Sequence, residues 1–181
     1  GVIHATRTGY YIYKFIDPNL DLLQNRTSVH HWVIMRYAEI LLSYAEAMNE
    51  AYGPTGNVGY RLNAVRALNQ VRNRVGVEMP AVPTAISKEE LREKIRNERR
   101  VELAFEDHRF WDVRRWMIAE QEGVMSGAMY GIKIYWINSS PQEFRYTPYL
   151  YENRTFTKKM YLHPFSTNEV NKGYLIQNPG Y

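Results

Sequence analysis

Two glutamates, Glu98 and Glu102, are the residues of this 181-residue chain whose type and spacing best suit catalysis. Positions i and i+4 of a helix place Cβ atoms about 6 Å apart, and retaining glycosidases use carboxyl groups about 5–5.5 Å apart. However, side chains on one helix face do not flank a scissile bond from opposite sides. A general acid also needs a raised pKa, which the neighbouring arginines oppose. We therefore interpret the pair as structural and keep glycoside hydrolysis as the least favoured alternative.

Glu98 and Glu102 share one face of their predicted helix with Arg109. At 3.6 residues per turn, that face also carries Leu91, Ile95, Phe105, Val113 and Trp116. Buried carboxylates and guanidinium groups are tolerated only when they are paired, so we predict a structural ion-pair network on this face. The plausible cationic partners from the preceding helices are Arg36, Arg66 and Arg72.

The segment after residue 129 combines aromatic side chains with amide and basic ones. Pyranose rings stack on flat aromatic faces, and their hydroxyl groups need planar hydrogen-bonding partners, so this mixture is a candidate sugar site. The predicted ligand-binding residues are Tyr130, Tyr135, Trp136, Asn138, Arg145, Tyr146 and Tyr149, with Gln142 and Tyr151 nearby. The alternative is that the aromatic residues pin this segment to the helices or face a partner protein, because aromatic residues are also enriched at interfaces.

Composition and motifs argue against other chemistries. The chain has no cysteine, which excludes disulfides and thiolate metal sites. Asp17-Pro-Asn-Leu-Asp21 resembles the start of a calcium loop, but Leu22 and Ser28 stand where such a loop has glycine and glutamate, so a turn is favoured. The net charge of +4 comes with interleaved acidic and basic residues between positions 88 and 115. We therefore predict no metal, no cofactor and no nucleic-acid partner.

Helical periodicity predicts the elements that position these residues. Residues 32–75 are predicted to form an antiparallel helix hairpin, in which Gly53 ends the first helix and Asn57 caps the second. The capping box Ser87-Lys-Glu-Glu90 begins a long charged helix over residues 87–121, and the hairpin must pack on it. Glycine and proline then interrupt residues 122–181, which are predicted to form loops and short strands that wrap over the helices.

These elements together predict the fold class and the domain organisation. We expect one mainly α domain over residues 1–181, with a tetratricopeptide-like helix hairpin packed on a long third helix. Irregular loops and a few short strands complete it. No apolar run approaches the length of a membrane span.

Four segments, in this order, resemble the C-terminal region of the SusD/RagB family of outer-membrane glycan-binding lipoproteins. They are Thr8 to Pro18, Met35-Arg-Tyr-Ala-Glu-Ile-Leu-Leu-Ser-Tyr-Ala-Glu-Ala-Met-Asn-Glu50 with Leu68 to Arg74, Ile95 to Trp116, and Tyr161-Leu-His-Pro-Phe with Gln177-Asn-Pro-Gly-Tyr181. The family often has glycine where Asp107 stands. A small polar residue such as aspartate can also adopt the strained backbone needed at that position.

The resemblance implies a function that the residues alone do not reveal. It implies a non-catalytic, lipid-anchored protein on the extracellular face of the outer membrane, which binds oligosaccharide and presents it to a TonB-dependent, SusC-like transporter. It also implies that this chain is about the last third of such a protein, with the lipid anchor outside it. The first rival hypothesis is a tetratricopeptide-type scaffold that binds only protein, and the second is the glycoside hydrolase considered above.

Overall fold

A computed structural model describes residues 6–29 and 31–181. The chain folds into two compact units. We call Ser28–Phe110 the helical unit, and the described residues up to Thr27 together with Trp111–Tyr181 the hairpin unit. Within the described ranges, no helix combines the length and the apolar character needed to cross a membrane.

The helical unit contains α1 (Tyr37–Tyr52), α2 (Ala64–Arg72) and α3 (Lys88–Glu102). Local hydrogen bonds fix their ends. The Asn63 side chain accepts from the backbone N of Arg66 at 2.9 Å and caps α2. The predicted capping box of Ser87 and Glu90 begins α3. Gly53, with a φ of +75°, ends α1 as predicted.

The core of the helical unit forms where α1 meets both α2 and α3. Leu42 from α1, Leu68 from α2 and Leu91 from α3 are fully buried in it. Small residues, including Ala45 and Ala64, are also fully buried. Residues with short side chains let two helix backbones approach closely, so these alanines allow α1 and α2 to pack tightly against each other.

The prediction of one long helix over residues 87–121 is wrong. The chain forms two helices there, α3 and α4 (His108–Arg115), and α4 begins in the helical unit and ends in the hairpin unit. Phe105 and Asp107, with φ of +64° and +62°, adopt the left-handed conformation between them. Such residues cannot continue a right-handed helix. Asp107 thus adopts the left-handed conformation that was expected at this position, where the resembled family often has glycine.

The helix hairpin is also shorter than predicted. Its first helix begins at Tyr37 and its second at Ala64, and residues 32–36 and 57–63 are irregular. Val58 and Gly59 have φ of +43° and +88°, so a helix cannot run through them from a cap at Asn57.

The hairpin unit contains a two-stranded antiparallel sheet, β1 (Gly127–Ser139) and β2 (Gln142–Arg154). The prediction of a mainly α fold with a few short strands is therefore wrong, because the fold mixes helices with a hairpin whose strands have 13 residues each. The sequence favours strands here on physical grounds, since tyrosine, tryptophan, isoleucine and threonine are common in pleated, half-buried surfaces.

Pro148 explains why the second strand was hard to predict. Proline removes a ladder donor and normally argues against a strand. Here Pro148 lies opposite Ile132, whose backbone N donates instead to Thr8 O at 2.8 Å. The pair is therefore a non-hydrogen-bonded pair of the antiparallel ladder, in which position 148 needs no donor toward β1.

A second, smaller core and an ordered tail complete the hairpin unit. Val113, Ala119 and Phe156 form that core, and the Tyr161 ring meets Phe156 edge to face at 5.0 Å. The short helix α5 (Thr167–Val170) follows. The Gln177 side chain then donates to and accepts from the backbone of Phe165, both at 2.9 Å.

Candidate functional site: a buried charge network and an exposed hairpin

Arg36, the residue before α1, binds two glutamates, Glu102 at the end of α3 and Glu106 in the segment that follows it. Its Nε and Nη2 donate to the two carboxylate oxygens of Glu106 at 2.7 and 2.9 Å. Its Nη1 donates to Oε1 of Glu102 at 2.6 Å, and Nη2 also donates to the backbone O of Glu102 at 2.6 Å. Because a guanidinium group presents its donors in a planar fork, Arg36 joins the start of α1 to the end of α3.

Arg72, the last residue of α2, and Arg74, two residues after it, bind further carboxylate oxygens of Glu98 and Glu102. Arg74 Nη2 donates to Oε2 of Glu102 at 2.9 Å. Arg72 Nη1 donates to Oε2 of Glu98 in a short contact, and Arg72 Nε donates to the backbone O of Pro80. The side chains of both glutamates are about nine-tenths buried. The network therefore ties the three helices of this unit together.

The electrostatics of the network keep its charges in place. Burial lowers the pKa of Arg36, but its hydrogen bonds to Glu106 and Glu102, and their negative charges, outweigh that effect and raise its pKa above the ordinary value. Both side-chain oxygens of Glu102 accept hydrogen bonds from arginines, as do both oxygens of Glu106. Carboxylates held in this way suit a structural role better than proton transfer.

The network includes residues beyond those predicted from sequence. Arg36, Glu98 and Glu102 lie in it, and Arg66 is exposed. Arg109 lies past the helix break, half-buried on α4, and its place in the network stays a prediction. Glu106 and Arg74 were not predicted. Glu106 was detectable, since it continues the four-residue spacing of the other two glutamates.

The register of the hairpin sorts its side chains onto two faces. Directly opposite residues of a ladder point to the same side, and neighbours along a strand point to opposite sides. The face that we call the apolar face carries Tyr130, Ile132, Ile134, Trp136, Phe144, Tyr146, Pro148 and Leu150. The face that we call the basic face carries Lys133, Tyr135, Asn138, Glu143, Arg145, Thr147 and Tyr149. The predicted ligand-binding residues are therefore divided between the two faces.

The basic face pairs cations with aromatic rings. The Cζ atom of Arg145 lies 5.1 Å from the ring centroid of Tyr135, its direct partner across the ladder. Lys133 Nζ lies 5.0 Å from the ring centroid of Tyr149. Tyr149 donates its hydroxyl group to the backbone O of Arg7 in a short contact. Cations at these distances are attracted by the ring quadrupole, which holds them over the ring.

Gly131 allows this packing at the base of the hairpin. A Cβ atom at Gly131 would lie 2.8 Å from the Tyr149 ring and 2.9 Å from Thr8 O. A side chain there would push the ring or the N-terminal segment away. Glycine at this position therefore supports the orientation of Tyr149.

The apolar face is open to solvent along most of its length. Trp136 is 68% exposed and Tyr146 is 59% exposed. Leu150 and Tyr130 are also more than half exposed. A contiguous exposed apolar patch of this kind usually marks an interaction surface. Of the other sequence candidates, Tyr151 is the extra residue at a register shift and Gln142 lies next to the turn.

The helical unit also has a groove that the sequence analysis did not predict. It has a volume of about 470 Å³ and lies beside α1, where its lining includes Tyr37, Ile40, Tyr44, Tyr60, Arg61 and Gln70. The hydroxyl group of Tyr44 donates to Leu62 O at 2.8 Å. Aromatic rings beside a guanidinium and an amide group could bind a sugar.

The residues considered for calcium serve local structure. Asp17 Oδ1 accepts from the backbone N of Asn19 at 2.9 Å, and Asp21 Oδ1 accepts from the backbone N of Leu23 at 3.0 Å. These are turns in which an aspartate side chain binds the backbone two residues on. Among the residues that the structure describes, no cluster of three or more acidic or histidine side chains is arranged to hold a metal.

Comparison with known sequences gives consistent matches. The sequence model of the SusD family matches residues 3–181. The chain is 35% identical over 111 residues to SusD-like protein P2 of Formosa agariphila, a match that covers 59% of this chain and 20% of that protein. It is 33% identical over 106 residues to SusD-like protein P38 of the same organism, covering 55% of this chain and 18% of the relative. The chain thus spans about a fifth of the length of these relatives.

Solved structures agree with these matches. The chain is similar to a SusD-like protein from Bacteroides fragilis, with 37% identity and a TM-score of 0.66 over 84% of this chain and 26% of that one. It also shares its fold with a SusD-like carbohydrate binding protein from Bacteroides vulgatus, with 24% identity and a TM-score of 0.51, over 77% of this chain and 28% of the other.

Proposed function

Because the chain belongs to the SusD family, a carbohydrate-binding family, we propose that it is part of a surface protein that binds oligosaccharide and delivers it to a SusC-like transporter. The family predicted from sequence is thereby confirmed. SusD-like proteins are generally non-catalytic binding proteins and generally outer-membrane surface lipoproteins. The proposal extends both properties to the protein that contains this chain.

The observation that carries the proposal beyond the family is the basic face of the hairpin. There, Tyr135 and Tyr149 offer rings for stacking, and Arg145 and Asn138 offer planar hydrogen-bonding groups beside them. Sugar sites combine these two kinds of group, because a pyranose has apolar C–H faces and a rim of hydroxyl groups. We assign glycan contact to this face.

The apolar face is assigned to protein contact. Trp136 and Tyr146 are exposed on it, and it carries no charged residue. Aromatic residues are enriched and charged residues depleted at the centres of protein interfaces. Of the sequence candidates, Tyr130, Trp136 and Tyr146 thus belong to the proposed transporter contact.

The charge network supports a binding protein over an enzyme. Glu98 and Glu102 are bound by Arg72, Arg74 and Arg36, and Arg36 is held charged by its partners. A glycosidase needs one carboxyl group that carries a proton to the leaving group. Sugars released after prolonged incubation by the native protein, but not by Glu98→Gln, would contradict this assignment.

Affinity electrophoresis of the full-length protein against a panel of polysaccharides tests the proposal. We expect retardation by at least one polysaccharide, weakened by Tyr135→Ala because this variant removes a stacking ring; the stacking of a nucleic-acid base on an aromatic side chain is worth about 1–3 kcal/mol. Tyr60→Ala, in the groove beside α1, is the matched control. A larger loss from Tyr60→Ala would move the sugar site to that groove. Retention by no polysaccharide, together with binding to a transporter, would favour the protein-only scaffold.

A further inference from the structure

We propose that the basic face of the hairpin selects acidic glycans, that is, polysaccharides that carry carboxylate or sulfate groups. The inference rests on the proposed function and adds the charge class of the ligand. It follows from where two cations of the hairpin lie and from what surrounds them.

The two cations lie on one face and close together. Tyr135 is directly opposite Arg145, and Lys133 is directly opposite Thr147, two residues further along β2. Lys133 and Arg145 are therefore diagonal neighbours on the same side of the ladder, with Cα atoms about 7–8 Å apart. Each is already placed over a tyrosine ring, at 5.0 and 5.1 Å from the ring centroids.

Neither cation is neutralised within the described part of the chain. The ion pairs formed there include Arg154 with Glu152 on the same hairpin, but none with Lys133 or Arg145. Of the acidic residues on this side of the ladder, Glu152 is paired with Arg154, and Glu143 lies opposite Asn138, nearer the turn. Lys133 and Arg145 thus remain as two cations that form no ion pair within the described residues, beside the single carboxylate of Glu143.

The geometry suits an acidic sugar better than a neutral one. The guanidinium of Arg145, whose Cζ atom lies 5.1 Å from the Tyr135 ring centroid, presents its N–H donors in a planar fork that can form two parallel hydrogen bonds to a carboxylate or sulfate group. The exposed surface of the Tyr135 ring can meanwhile pack against C–H groups. A neutral sugar could accept hydrogen bonds from Lys133 and Arg145, but it would leave their positive charges without compensation, whereas a carboxylate or sulfate group adds the attraction of opposite charges.

The apolar face cannot provide this selectivity, because no residue on it is charged. Charge selection by the hairpin must therefore depend on Lys133 and Arg145. Their replacement by glutamine keeps hydrogen-bonding capacity and removes only the charge. Both side chains are exposed, so the double variant should fold normally, which a thermal melt would verify.

The test compares polygalacturonate, dextran sulfate and neutral dextran as ligands of the full-length protein by affinity electrophoresis and calorimetry. We expect binding to at least one acidic polymer, and about a tenfold or greater loss of that affinity in Lys133→Gln/Arg145→Gln. The polygalacturonate and dextran sulfate arms distinguish carboxylate from sulfate. Lys159→Gln is the matched control, since Lys159 also lies over a ring, that of Tyr181, at 4.7 Å, but away from the hairpin.

The outcomes separate this inference from the proposed function. Tighter binding to neutral dextran or to carboxyl-reduced polygalacturonate than to the acidic polymers would overturn the inference and leave the proposed function intact. An equal loss of affinity in Lys159→Gln, or equal binding to polyglutamate, would indicate a general attraction to anions and would overturn the inference. Binding to no polysaccharide of a broader panel would overturn both.

Discussion

The helical unit and the hairpin unit use charged and aromatic residues in opposite ways. In the helical unit, Glu98, Glu102 and Glu106 are largely buried and each is bound by an arginine. In the hairpin unit, Arg145 lies over an aromatic ring in a solvent-exposed sheet, and Trp136 is 68% exposed. Buried pairs add little net stability but are costly to break, whereas exposed groups cost little to remove and remain free to bind. The helical unit thus uses its charges within the fold, whereas on the proposed function the hairpin unit uses its charged and aromatic groups for binding.

Arg36→Ala should give the largest loss of stability. It leaves Glu102 without one of its cations and Glu106 without its bidentate partner, so we expect the free energy of unfolding to fall by about 3–5 kcal/mol. Urea denaturation at pH 7 measures it. The control is Glu93→Ala, whose side chain is 69% exposed and whose loss should be below about 0.5 kcal/mol. Equal losses in the two variants would contradict the contrast between buried and exposed charge.

Asn69→Ala should have the next largest effect. Its amide donates to Val82 O at 2.9 Å and accepts from Val82 N at 2.8 Å, and thereby fixes the segment that leads to α3. Because Val82 is buried, the substitution leaves two backbone groups unsatisfied, and we expect a loss of about 2 kcal/mol in the same assay. Asn73→Ala, at an exposed asparagine just after α2, is the control. A similar loss there would show that the amide bridge has no special importance.

Glu50→Gln tests an exposed ion pair within the helical unit. The hydrogen bonds from Arg92 lower the pKa of Glu50, and its side chain is 40% exposed, so the pair should contribute less than about 1 kcal/mol. Because the folded-state pKa lies below the unfolded value of about 4.3, the contribution is present above that pH and is lost as the pH falls through the folded-state pKa. The stability difference from the native sequence should therefore shrink as the pH falls below the unfolded-state value of about 4.3. A difference that is equal at pH 7 and pH 3 would contradict this assignment.

Trp136→Ala should have the smallest effect on stability. The side chain is mostly exposed, so the loss should stay within about 0.5 kcal/mol. Phe156→Ala, in the small core of the same unit, should cost about 3 kcal/mol or more and is the buried reference. Thermal unfolding of both variants makes the comparison. A large loss from Trp136→Ala would mean that the apolar face already supports the fold rather than awaiting a partner.

Local interactions made the helix ends of the helical unit predictable. The capping box at Ser87 and the stop at Gly53 depend on residues a few positions apart, and both are present. The break at Phe105 was not predictable, because nothing in its own side chain favours the left-handed conformation. Because of that break, Arg109 lies on a second helix, α4, and not on the helix that carries Glu98 and Glu102.

The hairpin shows how a strand divides a cluster that is contiguous in sequence. Ile132, Ile134 and Trp136 alternate with Lys133 and Tyr135 in the manner of a strand, yet Tyr135 and Trp136 were both predicted for one ligand site. In a continuous strand they must point to opposite sides, so the predicted cluster becomes two surfaces. Pro148 made the second strand hard to predict. A strand tolerates proline only at certain positions of its pairing with the neighbouring strand, and the sequence does not specify that pairing.

Pro148 has a further effect on the outer edge of β2. In a non-hydrogen-bonded pair, the backbone donor of that position would point away from β1, toward any strand that approached from outside. Proline has no such donor, so an approaching chain would find the row of hydrogen-bonding groups interrupted at its middle. Pro148 therefore shortens the run of hydrogen-bonding groups that an added strand could use along this edge of the hairpin.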